Sequence, residues 1–361
     1  MFNVRRYEPK RILIIVSSLL PGGAERVSIS LAEHLFAHGF EPHLFIARVS
    51  AGAEKIYSIP EGVSAHYAQH WTENPVLRPV VNLLYMRKLM KDLSPAWIVS
   101  LGAQYRLLDL AGCFGKYNVL LSERNYPKLF YSKREFVKVL NCYKKATKVV
   151  FQTQSARDCF PTLSEDKCLI IPNAVKDDLP VWSGAGSRSI AYVGRLTPQK
   201  NPALLIDAFS LFCKNHANWT LDIYGDGPMR NELLIRTQRL GMNKSVVFHG
   251  NVRNVCERVS RSAMYVSTSD YEGISNSLLE AAAMGVPIVA TDCAGGGART
   301  VVVNGKTGCL VPCGNAPAFS AAMEKIADDA IRAEEMSKNA VLVSKRYSPD
   351  CVYNQWLEVL S

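Results

Sequence analysis

The sequence has no Cys-x-x-Cys pair, no Asp-x-Asp, no low-complexity tract, and no apolar run near the ~20 residues a membrane-spanning helix requires. Its ten cysteines are scattered, and the tightest spacing, Cys309 to Cys313, has no histidine cluster beside it. Neither a zinc site nor a disulfide framework is signalled, and reduced thiols in a cytoplasmic protein are expected. The apolar stretch from Ile12 to Val16 stops at Ser17 and Ser18, so no membrane crossing is expected. Arg5, Arg6, Lys10 and Arg11 precede that stretch as in a signal peptide, but Pro21-Gly22-Gly23-Ala24-Glu25 offers no small-x-small cleavage site. A buried first strand running into a helix accounts for the segment better.

What is present is 361 residues, 48% hydrophobic and 20% charged, too much chain for one small core and suited to two α/β domains. The net charge is +10, and residues 76–150 alone hold 14 Lys and Arg against 4 Asp and Glu. The whole excess therefore lies in one segment of the N-terminal half. Such a patch suits a phosphate-rich polymer or an anionic membrane surface.

Strand and helix signals alternate throughout. Strands are predicted at 11–16, 43–47, 97–100, 119–122, 148–151 and 169–172, with a helix from Glu25 to His38 that places Val27, Leu31 and Leu35 on one face and stops at Gly39. A polar, Gly-rich joint around 174–188 separates this set from a second one at 189–193, 220–224, 246–248, 264–267, 287–290 and 309–311. Alternation of this kind predicts two doubly wound parallel sheets, with ligands beyond the carboxyl ends of the strands and a site on each wall of a cleft.

Four turns after strands carry candidate chemistry. Gly22 and Gly23, in Pro21-Gly22-Gly23-Ala24-Glu25-Arg26, let backbone N–H groups approach an anion at a helix start, although a plain tight turn also explains them. In Val193-Gly194-Arg195-Leu196-Thr197-Pro198-Gln199-Lys200-Asn201, two cations five residues apart converge on a diphosphate, or else are solvated loop residues. Tyr224-Gly225-Asp226-Gly227-Pro228 reads as a structural turn. The strongest is Ser267 to Ala281, where Gly273 leads into a helix whose start offers Ser275, Asn276 and Ser277 and which carries Glu280, with Glu272 just before it. An anion at that helix start would bring sugar hydroxyls within reach of both carboxylates.

In order and spacing, Glu272-x7-Glu280, Gly194-Arg195-Leu196 with Lys200, Gly225-Asp226-Gly227-Pro228, Pro172-Asn173-Ala174-Val175 and Gly22-Gly23-Ala24-Glu25-Arg26 resemble the family-four retaining glycosyltransferases with the GT-B fold. The resemblance spans nearly the whole chain and is densest over 172–312. It implies two Rossmann-like domains facing across a cleft: 1–176 for the acceptor, 177–345 for the nucleotide-sugar, and a C-terminal helix over 346–361 that crosses back. Arg195 and Lys200 would hold the donor diphosphate, assisted by N–H groups around Ser275, Asn276 and Ser277, with Gly194, Gly273 and Ile274 in the same donor-binding set. Glu272 would contact the donor sugar and Glu280 the ribose. Phe248, His249 and Gly250 would line the base pocket, and Gly22 and Gly23 would meet the diphosphate from the other domain.

Two departures stand out. Many relatives have Glu-His where this sequence has Ser122-Glu123-Arg124-Asn125, so Arg124 stands for a histidine expected near the donor sugar; Thr300 stands where a glutamate is common. Without Asp-x-Asp, no metal and no cofactor are expected, and cations and helix starts neutralise the leaving group. The family's usual account of retention is front-face attack, with the leaving diphosphate taking the acceptor proton.

Ser132-Lys133-Arg134-Glu135 reads as a capping box opening a helix to about Lys148, with Phe136, Val139, Leu140 and Tyr143 on one face and Arg134, Lys138, Lys145 and Lys148 on another. Arg78, Arg87, Lys88 and Lys91 mark a second basic helix. Faces packed on the sheet with solvated cations are one reading; peripheral binding to the inner face of the cell membrane is the other, and the one preferred. The expected activity is retaining hexosyl or N-acetylhexosaminyl transfer, from a UDP-sugar in preference to a GDP-sugar, to a lipid-linked oligosaccharide or surface polysaccharide precursor. The alternatives are a soluble acceptor or a noncatalytic nucleic-acid binder; no nucleic-acid partner is expected, because no recognisable binding module with interleaved aromatics is present.

Overall fold

The computed structural model describes residues 9–19, 22–48, 57–67, 77–102 and 104–361, and the chain divides into two compact units. The N-terminal unit runs to Phe151 and takes in Arg157–Ile171 and Tyr353–Ser361. Its strands are β1 (Arg11–Val16), β2 (Glu41–Ile46), β3 (Ser64–Tyr67), β4 (Trp97–Ser100), β5 (Asn118–Glu123), β6 (Lys148–Phe151) and β7 (Cys168–Ile170). They form a parallel sheet in the order β3-β2-β1-β4-β5-β6-β7. A parallel sheet is covered on both faces, so its central strands are runs of apolar residues with no alternation. In β1 every residue from Ile12 to Val16 is buried. Each such side chain contributes roughly 1.5–3 kcal/mol on burial, and an aspartate at Leu13 would set an unpaired charge among them.

Strand β3 is absent from the sequence reading. It lies at the sheet edge with β2 as its neighbour, and its residues are half-buried or exposed. An edge strand needs no apolar run, so Ser64-Ala65-His66-Tyr67 gives no hydrophobic signal. The helix after β1 spans Gly23–Ala37 and buries Val27, Leu31 and Leu35 as expected. The Ser132/Glu135 capping box is formed, but its helix spans Lys133–Lys145 and stops short of Lys148. There Thr147 N–H turns to Val119 O at 2.8 Å and Lys148 begins β6.

The C-terminal unit comprises Gln152–Ala156 and Pro172–Val352. Its strands are β8 (Ser189–Val193), β9 (Thr220–Tyr224), β10 (Val246–Gly250), β11 (Met264–Ser267), β12 (Ile288–Thr291) and β13 (Gly308–Val311), parallel in the order β10-β9-β8-β11-β12-β13. Helix Pro202–Phe212 covers β8 and β9 with Leu205, Phe209 and Phe212, all fully buried, and Trp219 meets Phe212 edge-on at 5.2 Å. Asn201 caps this helix by accepting from Leu204 N–H, in a left-handed conformation that Asn tolerates, and Pro202 starts it where no N–H is needed. Among the described residues, no helix is long and apolar enough to cross a membrane.

Candidate active site

In the C-terminal sheet the chain leaves β8 toward β9 and β10 on one side and returns with β11 on the other. Ligands of doubly wound sheets bind beyond the carboxyl ends of the strands at such a reversal. The two loops that emerge there, after β8 and after β11, are stitched together. Asp270 N–H donates to Gln199 O at 2.9 Å, Gln199 Nε2 to Tyr271 O at 3.0 Å, Asn201 Nδ2 to Asp270 Oδ1 at 3.0 Å and Thr268 Oγ1 to Lys200 O at 3.0 Å. These bonds bring Lys200 Nζ onto Glu272 Oε2, which also accepts from Ser269 Oγ at 3.1 Å. The backbone N–H of Glu272 is held by Ala294 O at 2.9 Å, in the loop after β12.

The surroundings of this pair resist further negative charge. Burial first, and then the Glu272 carboxylate, push the Cys293 thiol up to about 12, and burial raises Tyr192 and Tyr265. A second anion arriving here needs cations or N–H donors of its own. Arg195, exposed on the β8 loop and without a side-chain hydrogen bond or ion pair among the described residues, is one such cation. Its loop packs tightly. At Gly225 the backbone has φ +121°, and a Cβ would lie 2.1 Å from Gly194 O, so only glycine fits.

Helix Asn276–Met284 starts beside the pair, with Ser275 in extended conformation before it. First-turn N–H groups have no carbonyl four residues back, and they are what a helix start offers an anion. The side chains behave otherwise than expected. Ser277 Oγ docks on Val193 O at 3.1 Å and accepts from Tyr265 OH at 2.8 Å, while Asn276 Oδ1 accepts from Asn173 Nδ2 at 2.7 Å. Their side chains thus fix the helix in place. Ile274, placed in the donor-binding set by the resemblance, is buried, and its N–H is taken by Gln152 Oε1 at 2.9 Å. Gly273 forms the tight junction before it, since a Cβ on Gly297 would lie 1.7 Å from Gly273 O.

Glu280 is 5% exposed on the same helix, 3.7 Å from Lys176 Nζ and 3.6 Å from Cys256 Sγ. At the end of β10 the ring of His249 stacks on Tyr224 at 4.6 Å, and its Nε2 lies 2.7 Å from Asp222 Oδ1. Phe248 lies under the Arg230 guanidinium at 5.8 Å, and Gly250 O accepts from Gly225 N–H at 2.7 Å. His249 is therefore already engaged on both its ring face and Nε2.

In the N-terminal unit, Gly22 and Gly23 open helix Gly23–Ala37 beyond the end of β1. Arg124 donates to Ser122 Oγ at 3.2 Å, and burial lowers its pKa to about 10. Its neighbour Glu123, to which the sequence reading gave no role, ends β5 fully enclosed. It accepts from the N–H groups of Arg124 and Asn125 and from Tyr143 OH, each at 3.0 Å. Burial pushes its carboxyl up to about 7 against those stabilising hydrogen bonds. The sequence reading also missed Gln152 and the stitching residues Gln199, Asn201 and Asp270; the Asn201-Pro202 pair at a helix start was the one available signal.

Residues 183–342 match the family model described as glycosyl transferases group 1. The chain is 29% identical over 349 residues to the N-acetylgalactosamine-N,N'-diacetylbacillosaminyl-diphospho-undecaprenol 4-alpha-N-acetylgalactosaminyltransferase of Campylobacter jejuni, covering 90% of this chain and 92% of that protein. It is 31% identical over 192 residues to an exopolysaccharide phosphotransferase of Streptomyces coelicolor, covering 53% of this chain but only 20% of that protein's length. Among solved structures, a single-site mutant of S. aureus TarM in complex with Fondaparinux, alpha-GlcNAc-glycerol and UDP superposes with a TM-score of 0.85 at 13% identity, covering 98% of this chain and 100% of that one. The C-terminal unit thus carries a group 1 glycosyltransferase domain, on a chain with the GT-B fold.

Proposed function

We propose that this group 1 glycosyltransferase is a family-four, retaining enzyme. It moves a hexosyl or N-acetylhexosaminyl group from a UDP-sugar to a lipid-linked oligosaccharide or surface polysaccharide precursor at the inner face of the cell membrane. The observation that carries the reading is the Lys200–Glu272 pair at the sheet reversal, with an exposed Arg195 on the same loop as Lys200 and a helix start four residues after Glu272. Lys200, Arg195 and the first-turn N–H groups of helix Asn276–Met284 take the diphosphate, and Glu272 accepts hydrogen bonds from hydroxyls of the sugar being transferred. Glu280, pinned near Lys176, is assigned the ribose hydroxyls.

In the reaction the bond from the anomeric carbon to the diphosphate oxygen breaks while the acceptor oxygen joins on the same face. The departing phosphate oxygen takes the acceptor's proton, so no protein base is required. The cations stabilise the charge that develops on the leaving group, the kind of preorganised electrostatic contact that carries most of such catalysis. The C. jejuni relative supports a lipid-diphosphate acceptor by its name, and the TarM complex supports UDP. The test is to incubate the purified chain with a panel of UDP- and GDP-sugars and an undecaprenyl-diphosphate glycan, and to read the anomeric coupling constant of the product by NMR. An α-linked product from an α-donor is expected. Inverted product, or no transfer from any of the donors, would overturn the reading.

A further inference from the structure

We infer that Gln152 and Asn173 are positioning residues that close a hydrogen-bond ring around Ile274, and so fix Glu272 relative to the start of helix Asn276–Met284. The inference rests on the donor-site reading above and adds to it two residues that reading gives no role, Asn173 of the Pro172–Val175 motif and Gln152, which belongs to none. Gln152 follows β6 directly, and Asn173 follows β7 by three residues; both are counted with the C-terminal unit.

The ring is complete. Ile274 N–H donates to Gln152 Oε1 at 2.9 Å, Gln152 Nε2 donates to Asn173 Oδ1 at 2.8 Å, and Asn173 Nδ2 donates back to Ile274 O at 3.0 Å. The Asn173 amide reaches on to Asn276 Oδ1 at 2.7 Å. Gln152, Asn173 and Ile274 are 3%, 4% and 4% exposed, so water does not substitute for a missing member. The direction of the ring is forced, because a backbone N–H only donates and a backbone carbonyl only accepts. Each amide therefore has one workable orientation.

The position of the ring gives it its effect. Ile274 stands two residues after Glu272 and directly before Ser275, which opens the helix. On the other side the same stretch is backed by the loop after β12: Ala294 O holds Glu272 N–H at 2.9 Å, and Gly297 abuts Gly273 O. Thr153, next to Gln152, donates to Gly295 O at 2.7 Å and ties that second loop down as well. Two consecutive side chains thus grip both loops that present Glu272. A ring with one bond reversed moves the peptide of Ile274, and with it the spacing between the sugar-contacting carboxylate and the N–H groups assigned to the diphosphate.

The decisive variant is Gln152→Glu. Its carboxyl, when neutral, still accepts from Ile274 N–H and donates O–H to Asn173 Oδ1. When ionised it sets a negative oxygen against Asn173 Oδ1 and breaks the ring. UDP affinity by calorimetry, taken as the ratio of variant to wild type, is expected to stay within about twofold at acidic pH and to fall by at least about tenfold at alkaline pH, the scale of one buried hydrogen bond turned to a clash. The protection of the Ile274 amide against hydrogen exchange, measured relative to the intrinsic rate at each pH, is expected to fall over the same pH range in the variant alone. Gln152→Met, similar in length and unable to hydrogen-bond there, is expected to weaken UDP at every pH. A ratio that does not change with pH, or wild-type UDP binding by Gln152→Met, overturns the inference. If the wild type binds neither UDP nor GDP, the donor-site reading fails, and the exchange at Ile274 still judges the ring: an Ile274 protection factor in Gln152→Glu equal to wild type at every pH overturns it.

Discussion

Lys200 and Glu272, 72 residues apart in the chain, meet as an ion pair with side chains only 13% and 19% exposed. In a pair this enclosed, removing one partner leaves the other charge short of its counter-ion, and the geometry is held by the bonds that place the two side chains. Here those bonds are the stitches between the β8 and β11 loops. The stitches hold Lys200 Nζ and the Glu272 carboxylate oriented against one another at the sheet reversal before any substrate arrives.

Glu272→Ala and Lys200→Ala are therefore each expected to lower turnover by at least about 100-fold, the scale of one lost preorganised contact in a reaction centre. The loops remain tied by Gln199, Asn201, Asp270 and Thr268, so both variants should still fold with a cooperative melt, lowered by the charge left without its partner. Initial rates with a nucleotide-sugar and melts by circular dichroism check both statements. Near-normal turnover in either purified variant removes that residue from the reaction centre.

Activity is expected to persist in excess EDTA. The sequence has no Asp-x-Asp to clamp a metal–diphosphate, and Arg195, Lys200 and a helix start are on hand for the charge. Initial rates before and after chelation, followed by Mg²⁺ or Mn²⁺ addition, decide the matter. Complete loss restored by either ion would contradict the proposal.

The strands of both sheets were legible because buried parallel strands advertise themselves as apolar runs, and Trp97–Ser100, Lys148–Phe151, Thr220–Tyr224 and Met264–Ser267 fall where the sequence puts them. Edge strand β3 was not, for want of any such run. Residues that carry charge at the site, Lys200 and Glu272, were legible from type and spacing. Gln152 was hidden, because a single glutamine after a strand says nothing of a carbonyl and an N–H that lie 122 residues further on. The protein partners of Ser277 and His249 were hidden for a related reason: residue type does not say that a hydroxyl docks on Val193 O or that an imidazole meets Asp222.

Glu123 makes stability depend on pH. Its carboxyl has an ordinary value of 4.5 in the open chain and about 7 when enclosed, with burial as the cause. The folded protein thus holds this proton more tightly than the unfolded chain, so the contribution is full below about 4.5 and is lost as pH rises through about 7. The difference corresponds to about 3 kcal/mol. Glu123→Gln, which mimics the neutral carboxyl toward Tyr143, is expected to flatten that decline and to melt higher than wild type at pH 8. Denaturant midpoints from pH 4.5 to 8.5 for both proteins check it; parallel curves would show that the carboxylate is ionised inside the fold.

The membrane proposal changes in its residues once the basic helix is seen. Lys145 is ion-paired with Asp109 at 2.8 Å, and Lys148 belongs to β6, so neither sits on the free face expected for it. Helix Lys133–Lys145 buries Val139, Cys142 and Tyr143 and turns Lys133, Arg134, Val137, Lys138 and Lys144 outward. Glu135 is held at the capping box, which leaves that outward face cationic around one exposed valine. Such a face is attracted to an anionic leaflet, and salt screens the attraction. Changing Lys133, Arg134, Lys138 and Lys144 together to Glu is expected to release the protein from phosphatidylglycerol vesicles. Turnover on a short soluble acceptor should stay within about threefold, because the donor site lies in the other unit and the four changes are on a solvent-facing helix surface, where substitutions have small effects. Co-sedimentation at low and high salt, for wild type and variant side by side, is the measurement. If the wild type stays in solution with anionic vesicles at low salt, the cationic helix is a solvated surface and the proposal of peripheral binding falls.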